Sequence, residues 1–418
     1  MIDSVNLVSA QISLLEPRLA LIHIPIELYS LFLQPILQLL FGEDHDEDAA
    51  SVPWTNRHEF LNVSITPEGC SVICTRYLAD KYMVPIKRQY ENIASGVENF
   101  DEDYIVIQVD GQGLDAGQRV LELTSPLAMA GISIFFITTY FSDYILVPSR
   151  ARRTVTKALE QRGFVFSQSV DAFVSQLSPT LPFTGHHERV PSSPSSVGNG
   201  IPSTPPAKDL PELQRRTFTK LKKSNIVPYV DRELRLINCA GNCDDAAAQE
   251  TLKNDLLQVL LSTSPTKLKR KCPGKQANGN GVGHGSVSDN SSSFISITIT
   301  GNEPISIFLE TRLLERLGKT LLGANTPDPE NTLVPITFDL QALPMEATGI
   351  VCGVAGCLAA GNTGASKELG QKREECDGAL DITFLSTAKA GTVLVKESDL
   401  DRAIAALDFG IREVEVLA

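Results

Sequence analysis

Residues 136–159, FITTYFSDYILVPSRARRTVTKAL, and residues 384–407, FLSTAKAGTVLVKESDLDRAIAAL, align without gaps at a shift of 248 residues. Phe136, Thr139, Leu146, Val147, Ala158 and Leu159 recur as Phe384, Thr387, Leu394, Val395, Ala406 and Leu407. The pattern they share says more than the identities: an alternating strand, a short turn, a second strand, then a helix. Each copy also has a strand and a helix in front of it. Ahead of the first lie an alternating strand at 104–109 and apolar residues at helical spacing over 116–130, with Gly131 as a stop signal. Strands at 132–138 and 143–147 and a helix around Val155, Ala158 and Leu159 complete it. In the later copy the strand is 334–340, the helix 349–360, the hairpin 381–387 with 392–395, the second helix 399–407, and 411–416 reads as a closing strand.

Two weaker copies precede these. One runs from a strand at 18–24 through a helix at 31–41, a hairpin at 60–74 turning at Glu68-Gly69, and a helix from Tyr77. The other has a strand at 234–239, a helix at 245–261, a hairpin at 294–310 around Gly301-Asn302, and a helix at 311–322. The expected fold is therefore α/β (α+β), with four ferredoxin-like β-α-β-β-α-β units in two tandem halves. The units fall at 14–90, 102–170, 228–325 and 332–418. A Ser/Pro-rich linker at 176–216 divides the halves, and inserts at 263–293 and 361–378 interrupt the last two units. These stretches, with the acidic tip at 43–48, lack the apolar content to offset ordering entropy and read as disordered.

Composition narrows the function. The 418 residues carry a net charge of -13, with 42% hydrophobic and 6% aromatic residues. At about 150 residues per domain, such a length holds roughly two to four domains. The acidic balance disfavours nucleic acid, because phosphate contacts need clustered Lys and Arg. The first residues show no basic start before an apolar run, so no secretory signal is read. The longest apolar stretch, 19–41, is broken by Pro25, Glu27 and Pro35, so no membrane insertion is expected. Eight cysteines, among them Cys70/Cys74, Cys239/Cys243 and Cys352/Cys357, lack the paired C-x-x-C spacing of a zinc site and read as buried thiols of a reduced, cytoplasmic protein. No G-x-x-x-x-G-K, G-x-S-x-G or H-E-x-x-H occurs, so the expectation is no enzyme, no metal and no cofactor. Ser-Pro and Thr-Pro pairs in the linker, and Arg215-Arg216-Thr217 at its end, point to kinase input.

A tandem of such units without catalytic motifs resembles ACT-domain regulatory proteins, and more closely the CASTOR family, the cytosolic arginine sensors of the TOR pathway, as a divergent, fungal-type member. The resemblance covers most of the chain outside the loops. It rests on residues 16–41, on the hairpin around Thr66-Pro67-Glu68-Gly69, on ISIFFITTYFSDYILV at 132–147, and on Gly349-Ile350-Val351 followed by Ala355-Gly356-Cys357-Leu358-Ala359-Ala360. It implies a free amino acid held between the second and fourth units by Ser133, Ile134, Gly349, Ile350, Ser386 and Thr387. Glu346, just ahead of the glycine turn, could meet the amino group. It further implies a homodimer, and a GATOR-type or SEA-type partner complex engaged through Tyr140 and Asp143. One departure matters. The carboxylate with which the family pairs a guanidinium falls at Gly391, and an aromatic position at Ala388. An unpaired buried cation is strongly disfavoured, and Lys389 repels one further, so arginine is not the expected ligand. The competing readings are a ligand-free ACT-domain scaffold and a regulatory subunit of amino-acid metabolism.

Overall fold

The computed structural model describes residues 11–42, 52–110, 116–166, 207, 209–241, 246–263, 294–317, 320–323, 331–368 and 380–416. The expected acidic tip, residues 176–206 of the linker, 264–293 of one insert and 369–378 of the other lie outside the described residues.

The chain passes through four β-α-β-β segments. The first holds β1 (Gln11–Ile24), α1 (Tyr29–Phe41), β2 (Phe60–Thr66) and β3 (Gly69–Thr75), followed by short helices α2 (Arg76–Leu78) and α3 (Val84–Gln89) and the two-residue strand β4 (Glu98–Asn99). The second holds β5 (Tyr104–Asp110), α4 (Ala116–Met129), β6 (Phe135–Thr138), β7 (Ser142–Pro148), α5 (Arg152–Glu160) and the short β8 (Val165–Phe166). A helix, α6 (Leu210–Lys223), and the short β9 (Tyr229–Val230) lead into the third: β10 (Leu236–Gly241), α7 (Ala246–Ser262), β11 (Ile295–Thr300), β12 (Ser306–Glu310), α8 (Leu314–Leu317) and β13 (Leu321–Leu322). The fourth holds β14 (Leu333–Asp339), α9 (Ile350–Glu368), β15 (Ile382–Ser386), β16 (Ala390–Lys396) and α10 (Leu400–Val416).

Within every segment the first strand pairs antiparallel with the third, as in β1–β3 and β14–β16. The segments then join edge to edge into a closed 12-strand ring, β10-β12-β11-β2-β3-β1-β5-β7-β6-β15-β16-β14, which returns to β10 through Leu236 and Leu333. The expectation of a fourth full strand in each unit is corrected. The edge it would cover is taken by a neighbouring segment, as β5 takes the edge of β1, leaving two-residue remnants such as β4 and β13. Residues 411–416 are likewise helical, in α10. Leu407, Ile411 and Val414 recur at helical spacing against the core, and that packing outweighs the strand-like alternation of the same residues. Residues 210–216, read as linker, open α6, capped by Asp209, whose Oδ1 accepts the Glu212 N–H at 2.8 Å. Residues 361–368, read as insert, continue α9.

The ring explains why its strands look apolar throughout. Ile105, Ile107 and Val109 of β5 face one helix layer, while Tyr104 and Val106 face the ring interior. The helix layers are shared pairwise: α1 and α7 cover the first and third segments, and α4, α6, α9 and α10 the second and fourth. Hairpin tips tie the pairs together by one contact used twice: the Tyr140 N–H donates to Ser306 Oγ at 2.9 Å, and the Ala388 N–H to Ser71 Oγ at 3.2 Å.

The two edge-to-edge seams between hairpins differ. β2 and β11 run in register from Ile65↔Ile295 to Phe60↔Thr300, with buried Asn62 donating to Ser296 Oγ at 3.2 Å and Thr298 Oγ1 at 3.0 Å. β6 and β15 meet only at Ile137↔Leu385. There the Phe136 N–H donates to Ser386 Oγ at 3.0 Å and the Phe384 N–H to Thr138 Oγ1 at 3.3 Å, so hydroxyls replace ladder bonds. α6 is held close to α9 by a glycine: a Cβ on Gly353 would lie 2.5 Å from Thr217 Oγ1. Gly353→Ala is therefore expected to destabilise by about 1–3 kcal/mol through overpacking, reversing the ~1 kcal/mol that alanine ordinarily gains over glycine inside a helix. Urea denaturation checks this, with Thr217→Ala in the same chain restoring part of the loss.

Candidate functional site

The open seam leaves a cavity of about 70 Å³ between the second and fourth segments. One side is Ile134 and Phe135 at the start of β6; the floor is Phe338 of β14 with Leu343 and Met345 of the loop after it. The start of α9 supplies Gly349 and Ile350, and the β15–β16 turn supplies Ser386, Thr387, Ala388 and Gly391. Sequence-expected Ile134, Gly349, Ile350, Ser386 and Thr387 thus meet around one space. Ser133 and Glu346 do not line it: Ser133 is half-buried and Glu346 exposed. A water needs only about 10–15 Å³ of such space, so the cavity, partly open to solvent, has room for a small molecule.

Gly349 adopts φ +83, a region costly for any residue with a Cβ, and a Cβ there would also lie 3.1 Å from Leu213 Cδ1 of α6. Two carbonyls at this turn are tied down by α6: Thr217 Oγ1 donates to Gly349 O at 2.9 Å, and Lys220 Nζ to Thr348 O at 3.1 Å. Burial pushes the Lys220 pKa down. In a trans peptide the N–H points opposite its C=O, so the N–H groups of Gly349 and Ile350 are turned away from α6. The first turn of any α-helix leaves such N–H groups without intrahelical partners, open to an acceptor. The Ser386 hydroxyl takes the Phe136 N–H across the seam, and Thr387 Oγ1 exchanges bonds with Ala390 at 3.2 Å, so both hydroxyls shape the wall. Among the described residues, no charged side chain lines the cavity. Lys389 is corrected from a repelling cation to a structural one: it pairs with Glu98 at 2.7 Å and lies 5.5 Å over the Phe100 ring, facing the first segment.

The residues expected to meet a partner divide. Tyr140 is 40% exposed and stacks edge-on against Phe141, which is also exposed. Asp143 is 0% exposed and paired with Arg119, so it offers no surface; burial pushes its pKa up, and Arg119 opposes that shift. Thr217, beside the arginine pair read as a kinase motif, is buried against Gly349. Cys70, Cys74, Cys239, Cys352 and Cys357 are free and buried, and burial pushes the Cys352 and Cys357 thiols up to about 11 and the other three to about 12, the mark of packing residues. Among the described residues no acidic, histidine and cysteine side chains gather as a metal site, and no helix is long and apolar enough to cross a membrane.

Residues 99–161, the span of β5 to α5, match the ACT domain family. The chain contains an ACT domain. No curated protein sequence matches. Among solved structures, protein Atu0741 from Agobacterium tumefaciens is 17% identical over 43% of this chain and 98% of its own, at a TM-score of 0.25. Aspartate kinase from Synechocystis is 11% identical over 97% of this chain and 56% of its own, at a TM-score of 0.28. The ligand-free regulatory subunit of aspartate kinase from Thermus thermophilus is 11% identical over 36% of this chain and 96% of its own, at 0.26.

Phe338, Leu343 and Met345 escaped the sequence reading because an apolar loop after a strand looks like core. Thr217 and Lys220 escaped it because they adjoin a Ser/Pro-rich stretch that masks the helix. The positive φ at Gly349 makes a direct forecast: Gly349→Ala costs about 1–2 kcal/mol of stability, as read by urea denaturation against wild type.

Proposed function

We propose that this chain is a non-catalytic regulatory protein that binds a free amino acid in the cavity between its second and fourth segments. The observation that carries the reading is the convergence of Ile134, Gly349, Ile350, Ser386 and Thr387 on one largely apolar space at the start of α9, where a helix offers its first N–H groups. The match to the ACT domain family supports an amino-acid-binding regulatory role. The N–H groups suit a carboxylate, and the aliphatic and aromatic wall suits a small apolar side chain. A guanidinium or ammonium on that side chain would be buried without a partner, at a cost of several kcal/mol.

The cavity lies on the seam that has a single backbone bridge, so an occupant there biases the packing of the second segment against the fourth. A ligand that prefers one packing shifts affinity for any partner that also distinguishes them. The finer setting is proposed from the sequence resemblance: a cytoplasmic homodimer in nutrient and TOR signalling, with a GATOR-type or SEA-type complex as partner. Exposed Tyr140 and Phe141 at the second segment's hairpin tip are the docking residues in that setting.

Isothermal titration against the full set of amino acids tests the reading. One or more small apolar amino acids should bind, and Gly391→Ala, whose Cβ enters the cavity 3.6 Å from Leu340, should weaken binding about tenfold or more, as an added methylene does in a fitted pocket. Preferential binding of arginine or lysine overturns the ligand class. Silence across the whole set leaves the ligand-free scaffold.

A further inference from the structure

The cavity has a counterpart in the second segment, and that counterpart is filled. Strand pairing superposes the two hairpins residue by residue: Phe136↔Ile145 and Thr138↔Asp143 in one, Phe384↔Val393 and Ser386↔Gly391 in the other. Their turns are closed by the same bonds, Thr139 N–H to Ser142 O and Thr387 N–H to Ala390 O, each 2.9 Å. Asp143 therefore stands where Gly391 stands. In the preceding helices, Val120, Leu123 and Leu127 fill the core positions that Val351, Val354 and Leu358 fill, which sets Arg119 opposite Ile350.

The third wall matches as well. Ile134 lines the open cavity beside Gly349, and its equivalent Ile382 packs beside Gly117 at the start of α4. There the walls have closed: a Cβ on Gly117 would lie 2.7 Å from Leu380 O and 3.1 Å from Ile382 Cγ1. Inside, the Arg119 guanidinium bonds Asp143 Oδ2, with Arg119 14% and Asp143 0% exposed. Asp143 Oδ1 is buried with no hydrogen-bond partner in range, and beside Arg119 the Thr138 hydroxyl also acts on this carboxylate. Where the fourth segment has a glycine and a space, the second has a carboxylate and the chain's own guanidinium.

We propose that Arg119 is a built-in occupant of the second segment's ligand seat: the protein keeps one seat open and one filled, and the filled seat accepts a free alkylguanidinium once Arg119 is removed. The proposal takes from the proposed function only that the open cavity is a ligand seat. A guanidinium is the fitting class, because its planar fork can use both oxygens of a buried carboxylate. In this arrangement Asp143 has an internal task, and wild type binds one amino acid per chain.

The experiment is chemical rescue. Arg119→Ala leaves a buried carboxylate unpaired and should lower the melting temperature by about 5–10 °C. Propylguanidinium, the end of an arginine side chain, should then raise it saturably in Arg119→Ala, but not in wild type or in Arg119→Ala with Asp143→Asn. If Arg119→Ala does not fold alone, its refolding yield from urea is compared with and without the same probe, a probe-dependent yield counting for the proposal and an unchanged one against it. No rescue, or rescue that survives Asp143→Asn, reduces the pair to an ordinary structural contact and overturns the proposal. Because the probe is not an amino acid, the outcome is independent of the wild-type titration: rescue without wild-type amino-acid binding retains the guanidinium seat and removes the open one.

Discussion

An antiparallel β-α-β-β segment leaves an open strand edge on either side, and unpaired backbone N–H and C=O groups on those edges must find partners. In this chain the partners are the other segments. β1 takes β5, β2 takes β11, β6 takes β15 and β10 takes β14, and the four pairings close the sheet on itself. Everything else follows from that closure. The strands bury both faces, the helices divide into two outer layers, and the short remnants β4 and β13 survive only as trimmings on edges already taken.

Closure is uneven, and the unevenness makes the site. The β2–β11 seam is paired along its length and sealed by Asn62, Ser64, Ser296 and Thr298. The β6–β15 seam keeps one backbone bridge and borrows hydroxyls from Ser386 and Thr138 for two edge N–H groups. Space opens beside the weaker seam on the Gly349 side, and on the Gly117 side the same architecture is packed shut over Asp143 and Arg119. At equivalent positions the two copies differ in at least two residues, Asp143 against Gly391 and Arg119 against Ile350.

Much of the candidate site was legible because its residues sit at strand ends and at a glycine turn, positions that periodicity and turn signals mark. Gly349 announced a special backbone; Ile134, Ser386 and Thr387 fell at the ends of hairpin strands. Glu346 misled, since a carboxylate near a glycine turn says nothing of which way a loop carries it. Asp143 misled in the opposite way: a polar residue next to a turn reads as exposed unless a cation three residues into a distant helix, Arg119, is known to reach it. Residues 411–416 misled because alternation over six residues is compatible with a helix when the core lies along Leu407, Ile411 and Val414.

The sequence by itself determined the repeat, the order of strand and helix in each segment, the glycine turn and the absence of a carboxylate at residue 391, because each depends on neighbours within a few residues or on a fixed shift along the chain. Only the tertiary structure decided that the segments share one ring, that α6 holds the Gly349 turn, and that one of two equivalent positions leaves a cavity while the other holds the Arg119–Asp143 pair. Those facts depend on which edges meet and on gaps of an ångström or two between residues far apart in sequence, such as Gly117 against Leu380 and Gly353 against Thr217, and no local pattern encodes such distances.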